Sequence, residues 1–457
     1  MRSLIDRFVG VVARLAVGFF FRSVEIEGFD RLPRHRPVLL VANHFNGLVD
    51  PVLLVAALRR LPRFMAKATL WKVVPARPLL AFAGIVPVAR ATDGSTAANT
   101  TSFARVTHVL GDGGMVAIFP EGTTHDAPRL APVRTGAARI AAMAWAGGGD
   151  DLVILPVGLT YEDKVALRSR ALIQAGPPLD REVLGRPVHV EDHEAVNELT
   201  ARIGDALAEL SPDFDSLMQA GALGQAAEIS LRDTAGRTAG RVPMADRERL
   251  ARELADRPAA DQADLIDRTA RYHLALALAR VSDRAVSPVP TARALVRRVV
   301  KEVVIAVVLF PFALAGVMIN LIPAVIVSLA GQSIAVPVTK GTVRVLTALV
   351  VFPLTWWAIA AFDVGAGWIS AVLTAVTFPL SPVVDVLVEA RSGFWGSLLV
   401  FVSAPLLGLA AVHLLERWRD LVDAWLDWRT VVDRRGQLAD VMALRAEVVA
   451  AVEDPLA

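Results

Sequence analysis

The distribution of apolar positions divides the chain into stretches of different character. Between residues 23 and 235, short apolar or β-branched runs such as Val38–Val41, Val116–Phe119 and Leu152–Val157 alternate with Ala- and Leu-rich stretches of helical period. Runs of this kind predict strands, and strand–helix alternation predicts an α/β domain with a mixed, mostly parallel sheet flanked by helices. Further on the pattern changes. No charged side chain occurs from Val303 to Thr339, from Val345 to Phe362, from Val364 to Val384 or from Ser392 to Leu415. Each stretch is close to or beyond the ~20 residues a helix needs to cross a bilayer. Residues 301–416 are therefore expected to form an all-α membrane domain of about four spans. Pro311, Pro323, Pro337, Pro379, Pro382 and Pro405 predict kinked or re-entrant pieces within it.

Three flanking segments complete the organisation. Residues 1–22 are apolar but interrupted by Asp6, Arg7 and Arg14, and no small-residue cleavage site follows. They read as an interfacial membrane helix with Phe19, Phe20 and Phe21 at one end; a helix packed on the following domain is the alternative. Residues 236–300 carry dense mixed charge at helical spacing and end at Pro288 and Pro290, the pattern of a charged helical connector. In residues 417–457, Trp418, Leu421, Trp425, Trp428 and Val432 share one face of an amphipathic tail, suited to the membrane interface or to a partner.

Composition sharpens the exclusions. Hydrophobic residues make up 54% and charged residues 21% of the 457, too apolar for an ordinary soluble chain. A net charge of only +2 gives nucleic acid no electrostatic footprint. The absence of cysteine excludes thiol nucleophiles, thiolate metal sites and disulfides. No dinucleotide fingerprint and no phosphate-binding P-loop occur.

Four blocks carry chemistry. Asn43-His44-Phe45-Asn46-Gly47-Leu48-Val49-Asp50-Pro51 follows the strand Val38–Val41. The carboxyl end of a buried strand is where α/β sheets present functional groups, and Asp50 can fold back to hold the His44 imidazole as a general base. No serine elbow occurs, so the base would act on a substrate hydroxyl; taken alone, the pair also fits a structural hydrogen bond. Phe119-Pro120-Glu121-Gly122-Thr123-Thr124-His125-Asp126 makes a sharp turn in which Gly122 lets amides approach an anion, or else a plain turn with a solvated acid. Gly84–Arg90, with Lys67 and Lys72 upstream, offers cations for a phosphate, although a lone arginine serves equally as a surface ion-pair partner. Leu155-Pro156-Val157-Gly158-Leu159 reads as a strand walling the site.

In this order and spacing, residues 25–235 resemble the glycerol-3-phosphate/lysophosphatidate acyltransferase superfamily. Most members place four residues between the histidine and the aspartate; here there are five, Phe45 to Val49. That spacing is similar to the fungal-type glycerol-3-phosphate and dihydroxyacetone-phosphate acyltransferases. His125-Asp126, Leu130–Gly136, Tyr161, Arg168-Ser169-Arg170 and Gly176-Pro177-Pro178 support the same branch. The resemblance implies an α/β acyltransferase domain in which His44 and Asp50 are catalytic. It further implies that Lys67 and Arg90 bind the acceptor phosphate, and that Glu121 positions the acceptor or braces the cations. Asn46, Gly122 and Thr123 would line the substrate site. The acyl donor would be a thioester of coenzyme A or of acyl carrier protein, and the acceptor a phosphorylated glycerol. No metal and no resident cofactor are implied, and no nucleic-acid partner.

The resulting expectation is an integral membrane enzyme of phospholipid synthesis, in contact with membrane lipids, with its catalytic domain on the cytoplasmic face. Lys340, Arg344 and Arg391 favour inside loops, Asp363 suits an outside one, and both basic flanks, Arg297/Arg298/Lys301 and Arg417/Arg419, favour an even number of crossings. Mid-span Asn320 is expected to join helices rather than to carry a solute. Lysophosphatidate is the alternative acceptor. A lipid-binding scaffold or transporter with an acyltransferase-like domain, and a thioester hydrolase, are the alternatives of other classes.

Overall fold

A computed structural model describes residues 2–33, 35–58, 60–72, 77–82, 84–88, 98–234, 242–286, 292–366, 394–433 and 438–453. The chain divides into two compact units. The first comprises Met1–Gly221, Pro243–Asp256 and Pro337–Gly341; the second comprises Ala222–Val242, Arg257–Val336 and Thr342–Ala457.

In chain order the first unit begins with α1 (Arg2–Phe20), β1 (Phe21–Glu27), β2 (Val38–Ala42), α2 (Val49–Ala57) and β3 (Arg63–Lys67). It continues through α3 (Arg77–Phe82), β4 (Val86–Val88), α4 (Ala98–Gly111), β5 (Met115–Ile118) and α5 (Gly136–Ala146). Then come β6 (Val153–Tyr161), β7 (Ser169–Ala175), α6 (His193–Ala208) and α7 (Leu217–Thr234), whose chain passes into the second unit. Helix α8 (Met244–Ala255) returns to the first unit, with Met244 and Ala245 packed on Leu172 of β7 and the Met244 amide donating to Glu25 at 2.6 Å. It comes from the stretch that reads as a connector.

The seven strands form one sheet in the order β1-β7-β6-β2-β5-β3-β4. Only β6 and β7 are antiparallel, so the sheet is mixed and mostly parallel, as the sequence pattern predicts. Central β2 is buried at all five positions. A strand covered on both faces has no polar side to show, which is why Val38–Ala42 is a continuous apolar run rather than an alternating one. Helices α5 and α6 pack their apolar faces, including Ile140, Trp145, Leu199 and Ile203, on β2, β5 and β6 to make the core. Asp192 caps α6 by accepting from the Ala195 amide at 3.0 Å.

The second unit is helical: α9 (Ala259–Ala279), α10 (Asp283–Val286), α11 (Ala292–Gln332), α12 (Pro337–Ala366, after its first turn), α13 (Phe394–Asp433) and α14 (Ala439–Glu453). Among the described residues two segments, Val296–Gln332 and Thr339–Ala361, are long and apolar enough to cross a membrane. Many of their large apolar side chains, Val307, Ile322 and Trp357 among them, stand exposed, as lipid-facing side chains do. The stretch 392–415 enters α13, whereas most of 364–384, with Pro379, Pro382 and Arg391, lies outside the described residues. Helix α11 runs through Pro311 and Pro323 as one element. Likewise α13 continues past the last apolar stretch through Trp418 and Trp425, so the aromatic face extends that helix.

Asn320 joins three helices as expected. Its amide nitrogen donates to the carbonyls of Gly316 and of Ala404 on α13, both at 3.0 Å, and its oxygen accepts from Trp356 Nε1 of α12 at 3.0 Å. Gly316 permits this: a β-carbon there would lie 2.0 Å from the Leu407 carbonyl oxygen.

Candidate active site

The site forms at the carboxyl edge of the sheet, where β2, β5 and β6 bring three of the four predicted blocks together, the Gly84–Arg90 block belonging to β4 at the end of the sheet. Val41 pairs with Ile118 of β5, and Ala42 pairs with Val157 of β6. His44 therefore leaves β2 beside the Phe119-Pro120-Glu121 turn that leaves β5. Strand β6 continues past the end of β2, and the fully buried Asn43 side chain carries the ladder on. Its Nδ2 donates to the Leu159 carbonyl at 2.9 Å, and its Oδ1 accepts from the Leu159 amide at 2.7 Å. The extension lifts Tyr161, the last residue of β6, to the level of the histidine.

Asp50, in the first turn of α2, is fully buried. Its Oδ2 lies 2.7 Å from His44 Nδ1 and accepts from the Asn46 amide at 2.8 Å, while Oδ1 accepts from the Tyr161 hydroxyl. Three donors on one buried carboxylate offset its desolvation. A carboxylate accepts only, so Nδ1 of the neutral imidazole carries the proton and Nε2 is left as the base. The imidazole is 16% exposed and stacks on Phe119 with ring centres 4.0 Å apart. Burial and the adjacent Asp50 charge push the Tyr161 phenol well above its ordinary pKa, so it remains a donor.

Glu121 is the second anchor. It is 1% exposed; Oε1 accepts from the His44 amide at 2.5 Å, and Oε2 from the Ala131 amide at 2.8 Å and from His125 Nε2. Both oxygens are thus engaged within the protein, so the carboxylate braces the backbone of His44. Gly122 turns with φ +70°, and its amide donates to the Phe119 carbonyl at 3.0 Å, which closes the turn. Arg134, exposed at the same edge, donates from Nε to the Glu121 carbonyl at 3.1 Å. Lys164 bridges the blocks from the other side, pairing with Asp126 at 2.5 Å and donating to the His125 carbonyl at 3.0 Å.

All the predicted site residues but Arg90 fall among the described ones. His44, Asp50, Asn46, Glu121 and Gly122 converge. Asn46 is 2% exposed and turned inward, donating from Nδ2 to the Lys164 carbonyl at 3.0 Å. Gly341 approaches it so closely that a β-carbon there would lie 2.5 Å from Asn46 Oδ1. Thr123 is exposed, with its hydroxyl 3.4 Å from the Thr124 carbonyl. Lys67 ends β3, the strand next to β5, at the same edge of the sheet. Arg90 lies outside the described residues. Tyr161, His125, Lys164 and Arg134 complete the site without having been assigned these roles from sequence. Among the described residues no three His, Asp or Glu side chains group as a metal site.

The chain is similar in sequence to known acyltransferases. The family model "Acyltransferase" matches residues 23–160. The match takes in the strands β2, β5 and β6 that carry the site, up to Thr160. Relatives in Saccharomyces cerevisiae are glycerol-3-phosphate O-acyltransferase 2, 35% identical over 125 residues (26% of this chain, 17% of the relative), and glycerol-3-phosphate O-acyltransferase 1, 31% identical over 121 residues (25% and 16%). An uncharacterized acyltransferase of Schizosaccharomyces pombe is 24% identical over 302 residues, 45% of this chain and 44% of that one. The chain thus spans less than half the length of each of these relatives. They support the fungal glycerol-3-phosphate branch for the acyltransferase domain.

Proposed function

We propose that the protein is a membrane-bound glycerolipid acyltransferase that moves a fatty acyl group from a thioester to glycerol 3-phosphate or dihydroxyacetone phosphate. The observation that carries this reading is the half-buried His44, fixed through Nδ1 by an Asp50 that Tyr161 and the Asn46 amide hold in turn. His44 Nε2 takes the proton of the acceptor hydroxyl as that oxygen attacks the thioester carbonyl carbon. A tetrahedral oxyanion forms; its collapse breaks the carbon–sulfur bond, and the departing thiolate takes its proton from the imidazolium. The sequence of steps has no acyl-enzyme and calls on no metal.

In this reading Glu121 fixes the backbone of His44. Lys67, Arg90 and Arg134 supply charge for the acceptor phosphate at the rim. Since the Gly122 amide is engaged in its own turn, the oxyanion is met by another donor. The long apolar helices hold the domain at the cytoplasmic membrane surface, where an amphipathic thioester and a lipid product both reside.

The test is labelled palmitoyl transfer by detergent-purified full-length protein to glycerol 3-phosphate, dihydroxyacetone phosphate and lysophosphatidate in parallel, with coenzyme A and acyl carrier protein thioesters as donors. Product from either of the first two acceptors is the expected result. Product from lysophosphatidate alone would keep the chemistry and overturn the acceptor. Release of free fatty acid without acceptor transfer would make the protein a hydrolase.

A further inference from the structure

Strands β2, β3 and β5 are parallel, so their amino ends lie at the edge of the sheet opposite His44. At that edge, between α1 and the start of β3 and β5, is a cavity of about 500 Å³. This volume is in the range of roughly 300–1,000 Å³ typical of small-molecule sites. Its polar lining is Arg7, Arg14, Arg60 and Arg63 against Asp6 and Asp112, four cations to two anions. Two of these arginines help build the walls: Arg60 donates to the carbonyls of Arg36 at 3.0 Å and Gly113 at 2.5 Å, and Arg63 lies 3.6 Å from Asp6. The other two differ. Arg7 and Arg14 are exposed, and neither has a hydrogen-bond or ion-pair partner among the described residues.

Helix α1 supplies the second observation. Leu4, Phe8 and Val11, spaced i, i+4 and i+7, are 65%, 62% and 47% exposed, whereas Gly10 and Ala13 are buried on the opposite side of the helix. Arg7 and Arg14 flank the exposed apolar row. An apolar row bordered by arginines fits an acyl layer with phosphates above it, the arrangement of helices that lie in a membrane interface. An arginine offers a planar fork for bidentate contact with phosphate oxygens. The same chain carries apolar helices long enough to cross a bilayer, so a bilayer is the source at hand.

We propose that this cavity holds the phosphodiester headgroup of an anionic phospholipid, gripped by Arg7 and Arg14, with the lipid's acyl chains along Leu4, Phe8 and Val11. The site is separate from the reacting edge of the sheet, and its assignment does not depend on the acyltransferase chemistry.

The test uses full-length protein, delipidated in detergent and titrated with phosphatidylglycerol or phosphatidylcholine, with bound lipid counted by native mass spectrometry. Wild type should take one phosphatidylglycerol in preference to phosphatidylcholine. The double variant R7Q/R14Q, at two exposed positions, should weaken that site roughly 30-fold, on the basis of about 5-fold per arginine near an anionic surface. Its phosphatidylcholine binding and its thermal midpoint should be unchanged. A second variant, L4S/F8S, should weaken both lipids while keeping their ratio. Superimposable phosphatidylglycerol curves for wild type and R7Q/R14Q would overturn the proposal. So would displacement of the lipid by millimolar inorganic phosphate or free coenzyme A, which would make the ligand a soluble phosphate.

Discussion

Each unit of the molecule contains an aspartate held by a tyrosine, and the two differ in what else the carboxylate touches. In the first unit Asp50 accepts from Tyr161 and holds His44, a titratable imidazole, through Nδ1. In the second, Asp283 accepts from Tyr272 at 2.7 Å and faces two guanidinium groups, Arg232 at 2.7 Å and Arg445 at 3.1 Å. Arginine does not lose its proton at any working pH, whereas a histidine can take one and return it. The first cluster can therefore carry chemistry. The second ties α7, α9, α10 and α14 together, with Arg445 also donating to the Ile229 carbonyl at 3.0 Å. A buried carboxylate thus reports little about function until its partners are named.

Substitutions should separate the two clusters. The largest effect is expected for His44→Ala: acyl transfer should fall by roughly 10²–10⁴-fold, the usual contribution of a general base, with the thermal midpoint nearly unchanged. Asp283→Asn should do the reverse. Removing the carboxylate that faces the buried Arg445 and Arg232, of which Arg232 keeps Glu228 at 2.6 Å, should cost about 3 kcal/mol of stability, read as a lower midpoint in urea, while the folded fraction keeps its kcat. If Asp283→Asn removed activity without loss of stability, the contrast would fail.

Tyr161→Phe sharpens the comparison within the first cluster. Loss of a hydrogen bond to a charged group should lower kcat about 10-fold or more with KM little altered. A merely structural tyrosine would lower the thermal midpoint and leave kcat in place at equal folded protein.

A smaller effect should appear in alkali. Burial first, and then the neighbouring aspartate, raise the pKa of both Tyr161 and Tyr272. In the unfolded chain a tyrosine releases its proton at about 10, while the folded sites retain theirs. Stability from these groups is therefore complete below about pH 10 and falls as pH rises above it. Urea midpoints measured at pH 9 and pH 11 should show the drop, and Tyr272→Phe should reduce it.

Much of the candidate site is legible in the sequence because it is local. Val38–Val41 and Val116–Phe119 are apolar runs, and His44, Asp50 and Glu121 follow them within a few residues. What lies in pairing is harder to read. The sequence shows strand β6 as Leu152–Val157, but its extension to Tyr161 depends on an Asn43 side chain that replaces the missing ladder of β2. Likewise the sequence leaves Glu121 open between positioning the acceptor and bracing its neighbours, because no local signal shows that the His44 amide, His125 and Ala131 surround it. In the second unit Asn320 was legible as a helix-joining residue, since a polar side chain inside an apolar run must find partners. The Asp283 cluster was not, because its members are spread from Arg232 to Arg445.

The central claim is that the Asp50–His44 pair, and not the protein's lipid-facing surface, performs the transfer. Initial rates of labelled acyl transfer to glycerol 3-phosphate by wild type and by His44→Ala, compared at equal folded protein, address it most directly. The account predicts transfer by the wild type and a loss of at least roughly 100-fold in the variant. An equal rate in both would contradict it.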